Sequence, residues 1–163
     1  MKVIIPGSYD PITLGHLDII KRAAAQFDEV YVVAFINPSK KYLFSVDDRV
    51  AMMMLATDEF DNVLVSYSDG RVVDYMREHG IEKIIKGYRT EADLPWEREQ
   101  AEYNKKHGGY ETELWLCREG YEEISSTAAR KRILAGDSYD ELLPKAVVNY
   151  IKNEYKQRKV DKK

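Results

Sequence analysis

Short β-branched runs recur along this chain with room for one helix between each pair, and that alternation constrains the fold more than any other feature. Strands are expected over residues 2–5, 30–36, 63–65, 81–85 and 112–117. Val, Ile and aromatic side chains fit a pleated surface, and several of these runs stop at Pro, Gly or Asn. Helical spacing is expected over 15–27, 46–56, 71–79 and 91–106, then over 126–134 and 139–155. Leu17, Ile20, Ala23, Ala24 and Phe27 share a face of the first helix. Val50, Met53 and Met54 turn inward on the second, behind Ser45 as N-cap. Gly80 closes the third.

Strands alternating with helices imply βαβ units. The expected fold class is therefore α/β, a doubly wound five-stranded parallel sheet with helices on both faces. A chain of 163 residues with 44% hydrophobic and 33% charged residues fits one soluble domain. That domain is expected over 1–155, with 156–163 a basic, frayed tail. With 25 Lys+Arg against 28 Asp+Glu the net charge is −3, which argues against a nucleic-acid binder. A single cysteine, Cys117, cannot form an internal disulfide and suits a reducing compartment. No apolar run approaches the roughly 18 residues of a membrane span, and the apolar run before Pro6 is too short for a signal peptide. No membrane association and a cytoplasmic address are the expectations.

Ligands of open parallel sheets bind beyond the carboxyl ends of the strands, so the loops there carry the chemistry. The first holds Gly7 for a sharp turn, a Ser8 hydroxyl, Thr13 as cap, and Gly15 and His16 in the first helical turn. There, free N–H groups and the positive helix end favour phosphate. The second offers Lys40 and Lys41, and the fourth Lys86, Gly87, Tyr88 and Arg89. The fifth runs Glu123-Ile124-Ser125-Ser126-Thr127 into a helix, with Arg130 one turn on. Taken singly, each also fits a well-capped helix or solvated lysines. Together, in an acidic protein, they point to a polyphosphate substrate. There is neither a G-x-x-x-x-G-K-[ST] nor a G-x-G-x-x-G motif.

Gly7-Ser8-Tyr9-Asp10-Pro11 with Thr13-Leu14-Gly15-His16 resembles the [HT]xGH signature of the nucleotidyltransferase superfamily, and Ile124-Ser125-Ser126-Thr127 its second signature. Pro38-Ser39-Lys40-Lys41 with Phe44, then Gly87-Tyr88-Arg89 with Ala92, Asp93, Glu97 and Asn104, resemble the bacterial phosphopantetheine adenylyltransferases over residues 2–155. The resemblance implies a Rossmann-like domain that transfers AMP from ATP to 4′-phosphopantetheine, giving dephospho-coenzyme A and pyrophosphate by direct in-line attack. That is the penultimate step of coenzyme A synthesis. It further implies Mg²⁺ arriving with ATP, no metal ligands from the protein, and a homohexamer.

Residue by residue, the resemblance makes His16 and Lys40 catalytic. It gives ATP to Ser8, Tyr9, His16, Gly87, Tyr88, Arg89, Glu97 and the loop Tyr121, Glu122, Glu123, Ile124, Ser125, Ser126 and Thr127. It gives the acceptor to Ser8, Lys40, Val72, Lys86 and Asn104, with Arg89 and the second loop on the triphosphate. Two positions depart from the pattern. Lys86 stands where arginine is usual and loses the bidentate fork. The run from Ser125 to Arg130 ends like that of the nicotinate-nucleotide adenylyltransferases, which keeps those enzymes as an alternative. A non-catalytic ATP-binding module is the other. Trp96, Trp115 and Cys117 are expected to pack, and His79 and His107 to sit at helix ends.

Overall fold

The computed structural model describes residues 1–155; the expected tail over 156–163 lies outside the described residues. Five strands form one parallel sheet: β1 (Lys2–Gly7), β2 (Glu29–Phe35), β3 (Val63–Ser68), β4 (Lys83–Tyr88) and β5 (Glu111–Leu116). Between and after them run α1 (Leu14–Gln26), α2 (Val46–Thr57), α3 (Val72–His79), α4 (Leu94–Gly108), α5 (Ser126–Ala135) and α6 (Lys145–Tyr150). The strand order is β3-β2-β1-β4-β5. The chain winds outward from β1 through β2 to β3, then returns to the other side of β1. The switch point lies between β1 and β4, where such sheets open a crevice.

Alternation along the central strands divides the core. Val3, Ile5, Val30, Val32 and Ala34 pack beneath α1, α2, α5 and α6. Ile4, Val33 and Ile84 face the opposite way, against Tyr75, Met76 and Ile81. This is the two-sided burial expected of a parallel sheet.

Local signals set several helix ends. Thr13 caps α1: its side chain accepts from His16 N–H, and the His16 side chain answers to the Thr13 backbone. The Ser45 side chain caps α2 by accepting from Asp48 N–H. Gly80 takes the left-handed conformation (φ 65°) that ends α3.

Five expectations need correction. The helix expected over 139–155 begins only at Lys145, because Pro144 cannot donate a backbone bond and restricts the residue before it. It then runs into a π-helical turn, Ile151–Tyr155. Tyr139, Leu142 and Leu143 of the preceding turn are buried instead, and the Leu142 carbonyl accepts the otherwise orphaned Leu14 N–H at the start of α1. On α2 the inward residues are Met52 and Met53, whereas Met54 is exposed; on α1, Ile19, rather than Leu17, joins Ile20 and Ala23. Trp96 is 61% exposed rather than packed, although Trp115 does pack, stacked on Phe27 and under Arg22. Finally, Lys86 and Gly87 lie inside β4 and Gly7 inside β1, not beyond the strand ends.

Candidate active site

The crevice begins where β1 and β4 part. Their pairing is recorded at Val3 with Lys83 and at Ile4 with Ile84. Above it comes Pro6, which has no N–H to give; across the gap the Lys86 ammonium reaches the Pro6 carbonyl at 3.5 Å. The sharp turn expected at Gly7 comes instead at Tyr9, which holds φ 50°. Its buried hydroxyl donates to the Ile5 carbonyl at 2.7 Å and ties the turn to the strand. Gly87 matters for a different reason. A Cβ there would stand 2.9 Å from Ile19 Cγ1, so its bare backbone is what lets α1 lie against β4.

Two chambers open above the gap. The first, about 310 Å³, gathers Ser8, Tyr9, Gly15 and His16 from the start of the fold. It takes Gly87, Tyr88 and Arg89 from β4 and the residue after it, and Tyr121, Ile124, Ser125, Ser126, Thr127 and Arg130 from the approach to α5 and its first turns. The second, about 380 Å³, takes Val72 and Asn104 together with Phe35, Tyr42, Gln100 and Thr112. Ser8, Lys40, Lys86 and Glu97 line both, so they stand at the junction. The residues expected to hold a nucleotide thus fall mainly on one chamber, and those expected to hold an acceptor on the other or at the seam. Glu122 and Glu123 do not line either; Glu122 contributes only a carbonyl, which accepts from Arg89 Nη1 at 3.1 Å.

The first chamber carries Lys40, Lys86, Arg89 and Arg130 against one carboxylate, Glu97. A cationic pocket in a chain of net charge −3 is built for an anion. Arg89 is set by its neighbours: its N–H and that of Thr90 both donate to Asp93 Oδ2, at 3.0 and 3.1 Å. Burial pushes the Glu97 carboxyl up, with Asp93 adding to the shift and Lys86 opposing it. Lys86 Nζ lies 3.9 Å from Glu97 Oε2, and that oxygen has no hydrogen-bond partner among the described residues. Burial likewise raises the Cys117 thiol, whose Sγ lies 3.7 Å from the Arg89 carbonyl. A raised thiol is a packing group, not a nucleophile.

His16 has one available role. The Thr13 backbone N–H donates to its Nδ1 at 3.0 Å, so that nitrogen is the acceptor. Burial, with Lys86 and Arg89 nearby, lowers its pKa to about 4. The neutral ring therefore carries its proton on Nε2 and can only donate into the chamber. Ser8 is similarly directed. Its Oγ accepts from Lys40 Nζ at 3.0 Å, leaving the hydroxyl hydrogen for a ligand. Of the three hydroxyls opening α5, Ser125 accepts from Ala128 N–H and Ser126 donates to the Pro11 carbonyl at 2.8 Å. With Ala128 N–H on the Ser125 side chain and Ala129 N–H on the Ser125 carbonyl, the Ser126 and Thr127 N–H groups are the ones left at that helix start for an anion.

Three residues with no catalytic or binding assignment from the sequence, Arg130 entering there only as a cation near the fifth loop, hold the loops together. The buried Asp10 carboxylate accepts from Leu43 and Phe44 N–H, both at 2.9 Å, which fixes the segment after Lys40. Arg130 Nη1 donates to the Asp10 carbonyl at 2.9 Å and joins α5 to the first loop. Arg49, 2% exposed, donates to the Ser8 carbonyl at 3.0 Å. Asp10 had a local signal only as part of the first motif. Arg49 had none, because its partner is 41 residues away.

Among the described residues no helix is long and apolar enough to cross a membrane. The model of the cytidylyltransferase-like family matches residues 4–132. That span runs from β1 into α5 and includes every residue lining the two chambers. A five-stranded parallel sheet, a cationic chamber at its switch point and a neutral histidine donor at the first helix start all fall within the match, and the chain belongs to this family of nucleotidyltransferases.

Proposed function

We propose that this protein transfers AMP from ATP to 4′-phosphopantetheine, releasing pyrophosphate and forming dephospho-coenzyme A. One observation carries the reading: a cationic chamber and a second chamber lined by both apolar and polar side chains share Ser8, Lys40, Lys86 and Glu97 at their seam. The triphosphate lies in the first, against Arg89, Arg130 and the N-terminus of α5. The acceptor phosphate lies at the seam. Its arm extends past Val72 and Asn104, where apolar Phe35, Ile84 and Ala101 alternate with amide and hydroxyl groups.

An acceptor phosphate oxygen attacks the α-phosphorus from the second chamber. The bond to the bridging oxygen breaks on the far side, and its electrons leave with pyrophosphate into the first chamber. The acceptor is already an anion, so no general base is needed. The protein's contribution is positioning and charge stabilisation. His16 Nε2–H and the Ser8 hydroxyl donate to oxygens of the transferring phosphoryl group. Lys40 and Lys86 offset the charge that gathers when two phosphates approach. Among the described residues no three His, Cys, Asp or Glu side chains converge as metal ligands. Mg²⁺ would be held by the phosphate oxygens of ATP, as suits a hard cation, and would supply charge neutralisation there. A cytoplasmic homohexamer working at the penultimate step of coenzyme A synthesis completes the proposal.

Pyrophosphate release tests it. The purified protein with ATP should turn over 4′-phosphopantetheine and leave nicotinate mononucleotide, the alternative acceptor, unreacted. Turnover of the latter alone would move the assignment to nicotinate-nucleotide adenylyltransferase. Tight ATP binding with no turnover on any acceptor would favour a binding module.

A further inference from the structure

Lys40 is exposed and stands on a loop, on a flexible four-carbon stem that loses rotamer entropy when fixed. Yet its ammonium meets the Ser8 hydroxyl at 3.0 Å, at the seam of the two chambers. Something must hold it. Tyr42 is the residue placed to do so. Its ring lies 5.8 Å from Lys40 Nζ and 4.0 Å from the Arg49 guanidinium carbon, so two cations share one aromatic side chain. The Tyr42 hydroxyl is itself pinned. It accepts from Asn37 N–H at 2.8 Å and lies 3.5 Å from the Phe35 carbonyl at the end of β2. Arg49 closes the circuit by donating to the Ser8 carbonyl. Its Nε has no hydrogen-bond partner among the described residues, which leaves the ring to meet the guanidinium charge.

We propose that Tyr42 is a positioning residue for this reaction: through its ring it holds the Lys40 ammonium at Ser8, with Arg49 as the second cation that fixes the ring. The inference rests on Lys40 acting in the transfer. Two like charges drawn to one quadrupole and one serine make a closed cycle, Ser8–Lys40–Tyr42–Arg49–Ser8. Each contact is weak alone, and the cycle keeps the lysine from sweeping its full rotamer range.

A double-mutant cycle separates positioning from mere structure. Tyr42→Leu should lower kcat roughly 2–30-fold, the span of a cation–π contact, and leave the KM for ATP unchanged. In a Lys40→Ala background, which itself costs about 100-fold on the scale of a lost transition-state contact, Tyr42→Leu should lower kcat less than about twofold further. Tyr42→Phe keeps the ring and should keep kcat within about twofold of the unsubstituted protein, whereas a loss as large as that of Tyr42→Leu would overturn the proposal; this control holds even if Tyr42→Leu folds poorly. Effects that multiply in the double mutant would overturn the proposal. A second readout does not depend on the acceptor. In lysine-labelled protein the Lys40 ε-methylene signal should be displaced by the ring current, and in Tyr42→Leu it should return to the position of free lysine. An undisplaced signal in the unsubstituted protein would also overturn it. If Lys40→Ala turns over normally, the catalytic role given to Lys40 fails instead, and the spectrum still decides Tyr42.

Discussion

The Thr13 backbone N–H donates to His16 Nδ1 at 3.0 Å, which makes Nε2 the nitrogen that carries the proton in the neutral ring. The donor that the proposed transfer would use is thus set by the same residue that caps α1. With the imidazole pKa lowered to about 4, first by burial and then by Lys86 and Arg89, this neutral form persists across the physiological range.

A titration followed by NMR should show this directly. In the ligand-free protein the His16 ring should titrate well below the usual histidine midpoint of about 6.5. Between that value and about 4 the unfolded chain takes a proton that the folded chain refuses. The His16 contribution to stability is therefore full above pH 6.5 and is lost as pH falls through this window. A His16 midpoint at or above 6.5 would show that the chamber does not hold the ring neutral.

Gly87→Ala tests how closely α1 must approach β4. The new Cβ would lie 2.9 Å from Ile19 Cγ1 and 3.3 Å from Ile19 Cδ1, inside normal contact. The helix carrying His16 must shift or the Ile19 rotamer must change, at a cost of about 1–3 kcal/mol. Urea unfolding should report that loss, and the His16 resonances should move. Unchanged stability with an unchanged spectrum would mean Ile19 adapts freely.

Arg89 and Lys86 should separate in steady-state kinetics. Arg89 lines only the first chamber, whereas Lys86 lines both. Arg89→Ala should raise the KM for ATP and leave that for phosphopantetheine nearly unchanged. Lys86→Ala should raise both, a broader effect than the acceptor-only role its sequence position suggests. Lys86→Arg should be tolerated, since it keeps the charge and adds a fork. A Lys86→Ala variant that left the KM for phosphopantetheine unchanged, or an Arg89→Ala variant that raised it as much as that for ATP, would rule out this division.

The five parallel strands, the helices between them and most of the loops that line the crevice were legible because their signals are local. Thr13 and Ser45 announce helix starts, Gly80 a helix end, and the β-branched runs a buried sheet. What escaped was set by distant partners or by single steric facts. Asp10 meets Phe44 from 34 residues away, and Arg130 meets Asp10 from 120. Pro144 breaks a helix whose apolar spacing reads as continuous. Met54 and Trp96 are apolar residues whose facing depends on how the helix is rotated, which spacing alone left open. Tyr42 gave no sign, since its role depends on Arg49 and Lys40 converging on one ring.

The most direct measurement is the turnover of His16→Ala with ATP and 4′-phosphopantetheine, alongside its ATP dissociation constant. If the Nε2 proton stabilises charge that grows on the transferring phosphoryl group, kcat should fall by about 10²–10³. ATP affinity should change by no more than a few-fold. A folded His16→Ala protein that turns over near the unsubstituted rate would contradict the assignment of His16 as the donor to the transferring phosphate.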